Sequence, residues 1–208
     1  MDGKLALSSN GDIWSRITSL RQNSLDLLAP AMRAAVIATL KRAHGRVVQV
    51  TLVSGLVDVV ALDPVVFETL RSDELQRIYY GQGTTNAQTA EKSWHFYGLA
   101  VDNISIEYEW FDNAAARKRW PLSRDREIVS GAWFRAMAEI GKQLQLKAGL
   151  DWPTKPDAPH LQWGRCAASP HDAPRIYHAG GGGLRGRQEV WKAVGALFIP
   201  PELAAAAA

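Results

Sequence analysis

The chain has a single cysteine, Cys166, in 208 residues. One thiol can close no internal disulfide and build no thiolate metal cluster, and it is compatible with a reducing compartment. Cys166 itself is expected to be a small buried residue. Long apolar runs are also missing. The stretch 55–62 is broken by Asp58 and is far shorter than the ~20 residues of a membrane-crossing helix, so membrane insertion is not expected. The segment 1–9 is too poor in apolar side chains for a secretory signal. There is no sustained basic tract; Arg117-Lys118-Arg119 and Arg185-Gly186-Arg187 are the densest spots, and the formal charge is only +3. That mild balance suits an anionic polymer but selects no partner, and nucleic acid is not expected. No S-x-x-K occurs, which argues against an active-site serine enzyme. The glycine run 180–183 lacks phosphate-loop spacing and reads as a flexible surface loop.

What is present is ordinary globular material, 47% apolar and 22% charged, with no fixed-period repeat and no linker between two cores. One domain over 1–203 is expected: N-terminal helices in 1–45, a β insertion at 46–64, a core at 65–200, and an unstructured or appended alanine tail at 204–208. Apolar spacing predicts helices at 13–28, with Asp12 as N-cap, and at 32–43, with Pro30 near its start and Gly45 past its end. The β-branched run 47–62 reads as a hairpin turning at Ser54-Gly55. A helix at 72–80 would be capped by Ser72, and a polar loop covers 81–92. The alternating stretch 104–110 predicts a strand with Asp102 at its head, followed by helices at 132–144 and 188–196. Strands and helices are interspersed without strict strand-helix-strand units, which indicates an α+β fold with a small, mainly antiparallel sheet packed with helices.

The chemistry concentrates in 93–102, which reads S-x-H-x-x-G-x-A-x-D. Five specified residue types in ten positions arise by chance in such a chain with probability on the order of one in ten thousand. His95 and Asp102 offer an imidazole and a carboxylate to one metal, at ~2.0–2.2 Å each, and an open catalytic zinc needs one more protein ligand while keeping a position for water. Gly98 and Ala100 would let the backbone turn and pack closely between them. His160, in Asp157-Ala158-Pro159-His160, is the best third ligand, and Asp157 beside it could take a proton from water and return it to a leaving amine. His44, His171 and His178 lack partner spacing and are not expected to ligate. Trp94, Trp152 and Trp163 flank the motifs and are candidates to line a cleft, while Trp14, Trp133 and Trp191 fall on apolar helix faces.

These residues resemble the VanY-like zinc peptidases, the family of D-alanyl-D-alanine carboxypeptidases and L-alanyl-D-glutamate endopeptidases that includes a phage endolysin branch. The resemblance rests on Arg71-Ser72 followed by Gln76, on Tyr80-Gly81-Gln82-Gly83-Thr84, on the whole of 93–102, and on Asp157 to Gln162. It implies a fold of the hedgehog and D-Ala-D-Ala peptidase type, zinc as cofactor on His95, Asp102 and His160, and Asp157 as general base. It also implies that Arg71 stabilises the oxyanion of the scissile carbonyl, that Ser93 and Gln162 orient the ligand segments, and that Trp94 and Trp163 contact substrate. Many relatives carry Glu in an E-x-x-H motif. The Asp found here is that of the phage-type branch, and its shorter arm favours the L-alanyl-D-glutamate bond.

The expectation is therefore a monomeric zinc peptidase acting on the peptidoglycan stem peptide. It would be made in the cytoplasm without a signal peptide and reach the wall on release, as a phage lysin does. A D-alanyl-D-alanine carboxypeptidase and a catalytically silent wall-binding module are the alternatives.

Overall fold

The computed structural model describes residues 10–108, 123–167 and 169–208. Among them, seven α-helices and six strands form an α+β arrangement in which every strand pair is antiparallel. The segments 1–9, 109–110 and 117–119 singled out from the sequence lie outside the described residues, as does the side chain of Trp14.

Helix α1 (Asn10–Leu20) stops well short of residue 28, and Asp12 lies within it rather than capping it. The backbone of Gln22 leaves the helical path to bridge Leu70, and its carbonyl accepts from the Thr69 amide at 2.8 Å. A 3-10 turn at Leu25–Leu27 leads into α2 (Pro30–Ala43), whose alanine-rich face is buried. Strands β1 (Arg46–Thr51) and β2 (Val57–Leu62) make the expected hairpin as a two-stranded sheet of their own. Val50, Val60 and Leu62 point into the core, whereas Val47, Val57 and Val59 are exposed.

The second sheet carries the site. Its order is β3-β4-β6-β5, built from β3 (Pro64–Glu68), β4 (Ala100–Ser105), β5 (Leu146–Ala148) and β6 (His160–Trp163). Strand β4 begins four residues upstream of the predicted start at 104, because Ala100 to Asp102 pair with β6. Asp102 consequently sits inside the strand and not at its head. Val101 and Leu161, opposite each other, face away from Asp102 and pack towards α4 (Arg124–Gln143). Gly141 of α4 permits that approach, since a Cβ there would come 3.0 Å from a Leu161 methyl. Helix α4 starts eight residues before the expected 132 because Ser123 caps it, its hydroxyl accepting from the Arg126 amide. Its polar first turns hide it from an apolar-spacing search.

Helix α3 (Asp73–Gly81) has the expected cap, with the Ser72 hydroxyl accepting from the Leu75 amide at 3.2 Å. Near the end of the chain, α5 (Ala173–Ala179) and α6 (Gly183–Ala193) are joined by a tight turn at 180–183. The Tyr177 hydroxyl accepts from the Gly183 amide and pins that turn. The alanine run expected to be unstructured forms α7 (Pro201–Ala207). Alanine has the best helix propensity, and here Leu203 is buried while Lys41 Nζ donates to the Ala207 carbonyl at 2.8 Å. Trp133 and Trp191 are core residues. Burial pushes the Cys166 thiol up to about 12, so it carries little thiolate.

Gly98 closes the turn before β4 in the left-handed region, at φ 66°. A Cβ there would run into the Leu27 carbonyl oxygen. Gly98→Ala should therefore cost at least about 1–2 kcal/mol from the backbone alone, measured by denaturant unfolding of the metal-free protein.

Candidate metal centre

The register of β4 and β6 sets Asp102 directly opposite His160. Opposed residues of an antiparallel pair share a face of the sheet, so the two side chains meet without any loop having to bring them together. His95 comes from the 3-10 turn Trp94–Tyr97 that Gly98 closes just before β4. Three atoms converge: His95 Nε2 lies 3.2 Å from His160 Nδ1, and Asp102 Oδ1 lies 3.3 Å from each. A tetrahedral metal with donors at ~2.0 Å has donor-to-donor edges of about 3.3 Å. The three atoms form one face of such a tetrahedron. All three residues are buried, and Asp102 Oδ1 has no hydrogen-bond partner within the protein. The donor set fits a metal that takes two imidazoles and a carboxylate. Among the described residues these three form the one group with such spacing.

The donors are held from behind. Gln162, two residues along β6, faces His160 Nε2 with its Oε1 at 3.1 Å and donates its Nε2 to the Ala167 carbonyl. This leaves Nδ1 of His160 for the metal. Arg71 places one guanidinium nitrogen 3.4 Å from Asp102 Oδ2 and donates another to Gln76 Oε1 at 3.3 Å; its Nε pairs with Glu68. Burial works against the charge on Arg71, but Glu68 and Asp102 outweigh it and raise its pKa. Burial likewise opposes ionisation of Asp102. The two imidazoles of His95 and His160 beside it prevail and hold the carboxyl well below its usual range. The two imidazoles diverge. Burial lowers the pKa of His95, whereas at His160 the adjacent carboxylates of Asp102 and Asp157 overcome burial and raise it.

Asp157 is half-buried at the rim, and its backbone carbonyl accepts from the His160 amide at 3.2 Å. Gly149 lies against this turn: a Cβ there would come 2.6 Å from the Asp157 carbonyl oxygen and 2.9 Å from His160 Cβ. Trp152 packs its ring on His160 at 4.9 Å between centroids. Lys155 ties the same loop to the 81–89 loop by donating to the Gly83 carbonyl and Asn86 Oδ1. Ser93 sits between two 3-10 turns, and its side chain caps neither. Trp94 and Trp163 do not line a cleft. Trp94 is 6% exposed and gives its indole N–H to the Ala167 carbonyl, while Trp163 is fully buried and gives its own to Val194. Both lie under the site because their strand and turn direct these large side chains into the core. His44, His171 and His178 are remote, engaged with Asp63, Ser169 and Glu91 respectively.

Residues 86–163 match the family model described as D-alanyl-D-alanine carboxypeptidase. The segment that builds the site is similar to that peptidase family. It spans all three donors and Asp157, and stops short of Glu68 and Arg71. The likeness to VanY-like peptidases read from the motifs thus holds over the stretch that carries His95, Asp102, Asp157 and His160. No curated protein matches the chain. Among solved structures, the L-Ala D-Glu endopeptidase ChiX of Serratia marcescens aligns at 18% identity over 71% of this chain and 92% of its own, with a TM-score of 0.43.

Sequence reasoning missed Glu68, Tyr79 and Gly149. Glu68 had a visible signal, a lone carboxylate in the apolar run Pro64-Val65-Val66-Phe67; Gly149 had none, because its partner is a turn eight residues ahead.

Two outcomes follow from the geometry. Metal must displace the proton that His160 holds more firmly than an ordinary imidazole, so metal affinity should fall as pH drops through the raised His160 value, approaching tenfold per unit below it. Competition titrations with a chromophoric chelator between pH 5.5 and 8 read that slope. Gly149→Ala should displace the Asp157–His160 turn and weaken metal binding by roughly tenfold or more, in the same assay.

Proposed function

We propose that the protein is a zinc-dependent peptidoglycan hydrolase that cuts the stem peptide at the L-alanyl-D-glutamate bond. The observation that carries this reading is the triangle of His95, Asp102 and His160 donors, tetrahedral in its edges and lying within the segment of peptidase-family likeness. Two imidazoles and a carboxylate suit zinc, and three protein donors leave a position open to water.

Zinc, when bound, supplies a Lewis acid that polarises the scissile carbonyl and brings the pKa of water to about 7. Asp157, whose charge is felt at His160, takes the proton from the attacking water and hands it to the leaving amine nitrogen. Arg71 makes three side-chain hydrogen bonds, which leaves two of the five N–H groups of a guanidinium to meet the developing oxyanion. Trp152 gives the mouth of the site an apolar wall. The Asp in place of the commoner Glu favours the endopeptidase bond, and action on the wall after release, as a lysin, is the setting that matches it.

Asp157→Asn should lose roughly 10²- to 10⁴-fold in hydrolysis while keeping its zinc, read by metal content and by turnover of purified sacculi. The description of the matching family favours a second reading, D-alanyl-D-alanine carboxypeptidase. Mass spectrometry of digested muropeptides separates the two: stem peptides severed after L-alanine support the proposal, and loss of single D-alanine residues replaces it with the carboxypeptidase.

A further inference from the structure

Glu68 is a fully buried carboxylate on the last residue of β3. An ionised group in such a place is costly to desolvate and needs compensation from every side. Its surroundings supply that compensation. One oxygen, Oε1, pairs with Arg71 Nε, and the other accepts from the Tyr79 hydroxyl at 3.0 Å. The Arg71 guanidinium also lies over the Tyr79 ring, at 4.8 Å. The carboxylate is thus pinned through both oxygens.

Its position in the sheet is set by an irregularity. Along β3 the pairing runs Val65 with Ile104 and Val66 with Asn103, and then skips Phe67, so that Glu68 stands opposite Asp102. Without the bulge Phe67 would hold that place. A bulge re-aims a side chain at the expense of one ladder position. Here it completes a row across three strands, Glu68 on β3, Asp102 on β4 and His160 on β6, with all three carboxylate and imidazole groups on one face.

The row brings Glu68 Oε1 to 3.8 Å from His95 Nδ1, a buried nitrogen with no hydrogen-bond partner. This is the ring nitrogen that points away from the other two donors. Once Nε2 of a neutral imidazole is committed to a metal, its one remaining proton resides on Nδ1 and requires an acceptor. His160 shows the same arrangement in mirror form, with Nδ1 towards the donors and Gln162 Oε1 at Nε2.

We propose that Glu68 is a positioning residue of the metal centre: its carboxylate receives the Nδ1 proton of His95 and, through Arg71, aims a guanidinium nitrogen at Asp102, so that one buried group orients two of the three donors. The inference rests on the metal-site part of the functional reading and not on the scissile bond. Glu68 acts through His95 and Arg71 and does not touch substrate.

The test is zinc affinity by chelator competition on the parent, Glu68→Gln and Glu68→Asp, alongside unfolding of each metal-free protein. Glu68→Gln should bind zinc about 10- to 100-fold more weakly in a protein that still unfolds cooperatively, and Glu68→Asp should recover part of the loss. Parent-like affinity in folded Glu68→Gln overturns the inference while leaving the peptidase reading untouched. A parent that binds no zinc removes both. If Glu68→Gln does not fold, long-range proton–nitrogen NMR of the zinc-loaded parent decides: a slowly exchanging Nδ1 proton on His95 supports the inference, and zinc on Nδ1 refutes it.

Discussion

The opposition of Asp102 and His160 across β4 and β6 is the constraint on which the rest of this molecule depends. Three donor atoms must fall within about 3.3 Å of one another for a metal to be held, and two of them are delivered by a strand register. A slip of one residue would turn every side chain of one strand to the opposite face. The register is secured from the far side, where Val101 and Leu161 are buried towards α4 and Gly141 lets the helix come close. Core packing and metal geometry are therefore one requirement expressed on two faces of a sheet. His95 joins from a turn rather than a strand, and its placement depends on a left-handed Gly98 that admits the Leu27 carbonyl.

Electrostatics gives the same centre a second logic. Glu68 and Asp102 against Arg71 leave one net negative charge in the buried cluster, and Asp157 at the rim adds another. A dication would bring that sum to neutrality, which is the condition under which so many buried ionised groups are tolerable. The raised proton affinity of His160 belongs to this picture, since a proton partly offsets the same excess of negative charge. Arg71 is locked into this cluster through Glu68, Gln76 and Asp102.

Around this centre the loops that carry Asp157 and the polar stretch before His95 are tied together by Lys155, and Trp152 is laid on His160. The β1–β2 hairpin stands apart as a separate sheet, with valines on its outer face exposed. The C-terminal helices lie behind: α7 covers α2 through Leu203, and Trp191 of α6 donates its indole N–H to the Tyr97 carbonyl in the turn that bears His95.

The three residues that cluster were legible in the sequence because a metal site would demand particular residue types: 93–102 carries two of them at short spacing, and His160 stood out beside Asp157. Ser72 as a cap and the turn at Ser54-Gly55 were legible for the same reason, as local chemistry. Tertiary structure alone decided what depends on partners far along the chain. It stopped α1 at Leu20 through the Gln22–Leu70 bridge, ordered the terminal alanines by burying Leu203, and turned Trp94 and Trp163 inward. It also set Glu68 opposite Asp102, because a β-bulge is a relation between two strands and leaves no periodic mark in either one alone.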